Sequence, residues 1–111
     1  RMVIHIIQVI AVLSRNAENR ALLGIQGAVK QLMECFTTHY ESPLFAEVCC
    51  AALWNVAMSD QRNQRQLKSD NAVELLINTM EYHMDNVNVL ANACGAIAQL
   101  DLQSESDMEA G

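Results

Sequence analysis

Proline and glycine are scarce in this chain, one and four among 111 residues, and aromatic side chains make up only 5%. With so little to punctuate the backbone, and so much Ala, Leu, Val, Asn and Gln, the composition favours helices over sheets. No stripe or cluster of Lys and Arg is present to neutralise phosphates, which removes the electrostatic basis for direct nucleic-acid binding. None of the four cysteines, Cys35, Cys49, Cys50 and Cys94, belongs to a Cys-x-x-Cys pair. Three of them fall on apolar helical faces, where cysteine acts as a small hydrophobe, so reduced thiols in a cytoplasmic or nuclear protein are expected. The apolar run from Val3 to Leu13 is interrupted by His5 and Gln8, has no clear small-residue cleavage site after it, and is too short to span a membrane. Also missing are a glycine-rich phosphate loop, a nucleophile elbow and carboxylates that the pattern would pair in a pocket, so no enzymatic activity, metal or cofactor is expected.

What is present bounds a single modest domain, which at this length buries roughly two thirds of its unfolded surface. Apolar residues make up 51% of the chain and the formal net charge is −6. Asp101, Glu105, Asp107 and Glu109 supply four of the thirteen acids, leaving nine acids against seven bases over residues 1–100. The body is therefore nearly balanced, with a slight lean towards basic or neutral partner segments.

Self-similarity at a fixed period governs the fold class. At an offset of 44, Asn19 falls on Asn63, Leu23 on Leu67, Ala28 on Ala72, Val29 on Val73, Leu32 on Leu76, His39 on His83, Cys50 on Cys94 and Ala52 on Ala96. Conservative pairs fill the intervals: Met33 with Ile77, Phe36 with Met80, Leu53 with Ile97, Val56 with Leu100. Ile10 and Leu13 match Leu53 and Val56 after a one-residue shift. The chain is thus expected to begin near the end of one unit (1–14), to continue through two more (15–58 and 59–102), and to finish in an acidic, flexible tail (103–111) without apolar period.

Inside each unit the apolar spacing is helical. Val29, Leu32, Met33 and Phe36 follow i, i+3, i+4, i+7, as do Val73, Leu76, Ile77 and Met80. Val48, Cys49, Ala52, Leu53 and Val56 describe a further stripe, echoed by Val89, Ala93, Ala96, Ile97 and Leu100. Ser42 before Pro43 suits an N-cap and first helical position, and Asp60 and either Asp85 or Asn86 suit other caps. These signals predict helices over 2–14, 17–24, 27–39, 43–58, 61–69, 71–83 and 87–101.

Gly27-Ala28-Val29 with Leu32, its partner Asn71-Ala72-Val73 with Leu76, and the run from Ala51 to Ala57 resemble armadillo repeats. Those repeats have a short first helix, a second opened by a Gly-Ala-Ile type turn, and a long third helix. The resemblance covers nearly the whole chain up to Leu100 and implies a right-handed all-α solenoid. HEAT repeats share the length, but the separate short helix before each Ala-Val turn favours armadillo. It also implies a protein-protein interaction scaffold, whose third helices line a concave groove and whose Asn near the end of that helix holds an extended peptide. Asn55 matches that position. The sequence departs from the pattern at Val12 and Gln99, which stand where flanking units would repeat the asparagine, and at Ala51, where importin-type repeats carry Trp. The groove residues implied are Asn55, Gln99, Trp54, Ala51, Glu47 and Asn92.

Trp54 is open to two readings, a partner-facing anchor or a wedge between units. His39 and His83 lie one unit apart, too far to share a metal, and read as helix-end histidines. An alternative function is structural, an internal segment of a larger solenoid that mainly stacks or self-associates. Val3, Ile6, Ile7 and Ile10 on the opening helix are the residues expected to drive an isolated fragment into homo-oligomers.

Overall fold

The computed structural model describes residues 5, 7–9, 16, 19, 27–58 and 60–110, with side chains up to residue 100. Its architecture is best built from the turns, because they repeat at the same period as the sequence. Asn16 Oδ1 accepts the backbone N–H of Asn19 at 3.2 Å, and 44 residues later Asp60 Oδ1 accepts that of Asn63 at 2.9 Å. Each is an N-cap that satisfies one of the donors a helix start leaves unpaired. Gly27 and Asn71 both adopt left-handed backbone, with φ of 82° and 63°, and both redirect the chain into a helix. Ser42 caps the N–H of Phe45, and Asn86 Oδ1 caps that of Val89 at 3.1 Å. Of the two residues considered for that last cap, Asn86 is the one used.

Five helices are described in full: α1 (Ala28–His39), α2 (Pro43–Ala57), α3 (Gln61–Ser69), α4 (Ala72–Tyr82) and α5 (Val87–Ala110). No strand occurs among the described residues, so the chain is all-α. The expected helices over 2–14 and 17–24 lie mostly outside the described residues; His5, Ile7, Gln8, Val9 and Asn19 are helical. The remaining five start and stop within two residues of expectation except at one end. Helix α5 continues to Ala110 instead of stopping near 101. Residues 101–110 contain neither Gly nor Pro and hold Gln, Glu, Met and Ala, so nothing local ends the helix there. The irregular tail expected over 103–111 is thus helical backbone through 110.

Helix α2 is the centre of the molecule. It is apolar nearly all round, and Ala46, Cys49, Cys50, Ala52, Leu53, Val56 and Ala57 are all buried on it. Such a helix must be covered on several sides, and it is: α1, α3 and α5 all pack on it, with α2 against α5 the most extensive helix pair. Its final carbonyls are capped from outside. Asn63 Nδ2 donates to Val56 O at 2.9 Å, and Gln64 Nε2 donates to Ala57 O. This accounts for α3, a helix of almost wholly polar sequence whose buried residues are Asn63, Gln64 and Leu67. The amides occupy core positions because the end of α2 is there and needs donors.

Gly27 offers a clean test of the turn. A Cβ built there meets nothing within 4 Å, so the cost of a side chain would be conformational alone. Gly27→Ala is expected to destabilise by about 1–2 kcal/mol. Gly27→Asn, copying the residue at position 71, should lose less. Urea unfolding of the three proteins checks the order, and equal stability of the alanine variant would show that the left-handed turn is not required.

Candidate functional site along helices α2 and α5

Helix α2 carries Glu47, Ala51, Trp54 and Asn55 on one side, spaced by four, three and one residues, and α5 carries Asn92 and Gln99 seven apart. All six are half-buried. The two helices lie side by side and parallel, held in that register by two observations. Asn92 Nδ2 donates to the backbone carbonyl of Glu47 at 3.3 Å. Further along, the indole of Trp54 lies against Gly95, so close that a Cβ at 95 would fall 2.5–2.6 Å from its ring carbons. Gly95 stands 44 residues after Ala51 and therefore occupies the equivalent place on its helix.

The ring of Trp54 fills the space between successive long helices, as the wedge reading expects, while part of it stays exposed. Gly in mid-helix costs about 1 kcal/mol relative to Ala, and here it allows the two helices their spacing. Asn92, expected as a partner contact, spends one amide hydrogen on joining α5 to α2. Asn55 accepts the N–H of Met58 on its backbone carbonyl at 3.3 Å, which closes the end of α2, and its amide lies one residue past Trp54.

The opening helix is placed differently from expectation. Ile7, expected at a self-association surface, is 2% exposed and belongs to the core, so it is not available to a second copy. Val3, Ile6 and Ile10 lie outside the described residues. The paired histidines also diverge. His83 is buried with Nε2 2.8 Å from the carbonyl oxygen of Tyr40, joining the second unit to the first. His39 is exposed and stacks on Phe45 with ring centroids 4.4 Å apart.

All four cysteines are free thiols. Cys49 and Cys50 are buried, and Cys35 is half-buried with its thiol hydrogen-bonded to that of Cys49 across α1 and α2. Cys94 is exposed, unlike its repeat partner Cys50. Burial, which disfavours a thiolate, pushes Cys49 far up and Cys50 up to about 12, and Cys35 is also raised by desolvation. Among the described residues, no group of three or more His, Cys, Asp or Glu side chains is placed to hold a metal ion. No helix among them is long and apolar enough to cross a membrane. No family model matches the chain, and no curated protein or solved structure is significantly similar to it.

Sequence reasoning missed Gly95, Asn63 and Gln64. A signal existed for the first two: Gly95 is the partner of Ala51 in the repeat, and Asn63 repeats Asn19, a polar residue kept in phase with core leucines. Gln64 had none, since its partner at 20 is Arg.

Two expectations can be measured. Gly95→Ala should force the Trp54 ring out or separate α2 from α5, destabilising by roughly 1–3 kcal/mol and moving the Trp54 emission to the red. An unshifted spectrum with unchanged melting would mean the ring does not rest there. The buried thiols set an alkaline limit. Their protonated form is favoured by folding, so the stability they contribute is complete below the ordinary thiol value of 9.0 and is lost as pH rises towards 12. Thermal melts from about pH 7 to about pH 11 should fall above pH 9, and Cys49→Ala/Cys50→Ala should fall less steeply. Parallel curves for the two proteins would assign the alkaline loss to other groups.

Proposed function

We propose that the chain is an armadillo-type repeat segment and a protein-interaction scaffold, binding an extended peptide or protein segment along the surface shared by α2 and α5. The reading is supported chiefly by Asn55 and Gln99. They stand 44 residues apart, at equivalent places on neighbouring parallel helices, and both are half-buried beside the Trp54 and Gly95 contact. A carboxamide can donate to and accept from one peptide unit at once, which suits a grip on backbone that tolerates many side chains. Packed helices lie on the order of 10 Å apart, and an extended chain rises about 3.3 Å per residue. Successive amides would then meet about every third peptide unit.

Trp54 contributes a partly exposed aromatic face next to those amides, in the position of an anchor for one apolar side chain of the partner. Glu47, half-buried one helical turn before Ala51, favours a neutral or basic segment over an acidic one. Four free thiols, two of them buried, are in keeping with a reducing, intracellular setting. Nothing in this reading calls for a reaction: the groups along α2 and α5 are amides, an indole and small residues, which recognise rather than transform.

Selection of binders from a random peptide library on the full chain, followed by titration, tests the proposal. Asn55→Ala/Gln99→Ala is expected to weaken the selected peptides at least tenfold, about 1.4 kcal/mol. Trp54→Ala is less informative, since it also removes the wedge. Retention of affinity in the double variant, with folding intact by circular dichroism, would sink the groove as the binding site.

A further inference from the structure

Exposed apolar side chains gather where the second helix of each unit turns into the third. Pro43 and Leu44 open α2 and are exposed, Leu44 by 56%. Tyr82 closes α4 and Val87 opens α5, and they are 55% and 75% exposed. This exposure does not depend on what lies beyond the second unit. Thr38 and Pro43, the counterparts of Tyr82 and Val87 44 residues earlier, are exposed as well, although the second unit packs against the first. Leu44 itself belongs to that covered first unit. The edge is therefore open in both units.

A cleft crosses the junction between them. Pro43 from the first unit and Tyr82, His83, Asp85, Asn86 and Val87 from the second are among the residues that line it, and its volume is about 460 Å³. The aromatic wall is fixed in place. The Tyr82 ring meets Tyr40 edge to face at 5.8 Å and His83 at 5.0 Å, and His83 is itself held through Nε2 by the carbonyl oxygen of Tyr40. A ring mounted in this way loses little rotamer freedom on binding.

The charge of the cleft is of one sign. Asp85 lines it and is exposed, and Glu41 and Glu81, also exposed, adjoin Tyr40 and Tyr82 in the chain. Among the described residues no Lys or Arg lines the cleft. None occurs in residues 31–61 or 69–111, the stretches that supply both walls. The start of α5 adds an opposing partial positive charge, but Asn86 Oδ1 already takes the Val89 N–H there, and Asp85 stands immediately before that cap. An anion would meet the Asp85 carboxylate with no base to offset it, whereas a cation meets a carboxylate and an exposed phenol ring together. Arginine suits both: its planar guanidinium stacks on an aromatic face and forks onto a carboxylate, and its aliphatic stem covers apolar surface such as Pro43 and Val87.

We propose that this cleft binds an arginine side chain of a partner protein segment, with the guanidinium against Tyr82 and Asp85 and the stem on Pro43 and Val87. The site is separate from Asn55 and Gln99 and does not rest on their role.

The test titrates the peptide acetyl-Gly-Arg-Gly-amide into the full, isotope-labelled chain and follows the backbone amides by NMR. Saturable shifts are expected at Asp85, Val87 and Asn88, weakening as salt is raised. The citrulline analogue, of the same shape without the charge, should bind about three- to fivefold more weakly. The same loss is expected for the arginine peptide with Asp85→Asn or Tyr82→Leu. Asp85→Asn leaves the ring contacts in place, so it decides the matter if Tyr82→Leu lowers the melting temperature. Asn55→Ala/Gln99→Ala should leave the titration unchanged. Absence of saturable shifts, shifts that map away from the cleft, equal binding of the citrulline peptide, tighter binding of acetyl-Gly-Glu-Gly-amide, indifference to Asp85→Asn, or sensitivity to Asn55→Ala/Gln99→Ala overturns the proposal.

Discussion

The C-terminus of α2 lies inside the molecule, and the rest of the structure depends on how its last carbonyls are satisfied. A helix end buried without partners leaves several acceptors desolvated, each at a cost of about 1–3 kcal/mol. Asn63 and Gln64 supply the donors for Val56 and Ala57. Because those side chains come from the next helix, the capping also fixes where α3 starts and how it lies across α2. Once α3 is placed it covers α1, and the second unit is set against the first. One pair of amide bonds thus links local helix termination to the stacking of units.

The same stacking explains why equivalent residues have different lives. His83 is buried and bonded to Tyr40 O, while His39 is exposed; Cys50 is buried at the centre, while Cys94 is exposed. Neither difference can be derived from the side chain or its helix. Each follows from which side of a unit has another unit against it.

Much of the architecture was legible in the pattern. The offset of 44 paired Gly27 with Asn71 at the turn before each second helix, and the structure shows both in left-handed backbone, which these residue types tolerate while most others do not. Ser42 before Pro43 marked the start of α2, since proline at the first helical position loses no hydrogen bond. The groove residues were less legible. Asn92 has the same chemistry as Asn55, and spacing along a long helix does not reveal that Asn92 reaches the backbone carbonyl of Glu47 on the neighbouring helix.

By itself the sequence determined the helical period, the turn positions and the repeat, because these depend on interactions within about four residues and on the backbone freedom of single residue types. Tertiary structure alone decided the remainder: that Trp54 rests on Gly95, that polar Asn63 and Gln64 are core, that Ile7 is covered and Ile77 is not. Those outcomes depend on which helix lies beside which. Distances between residues some 40 apart in the chain, such as 54 and 95, are set by packing of whole helices and leave no trace in local spacing.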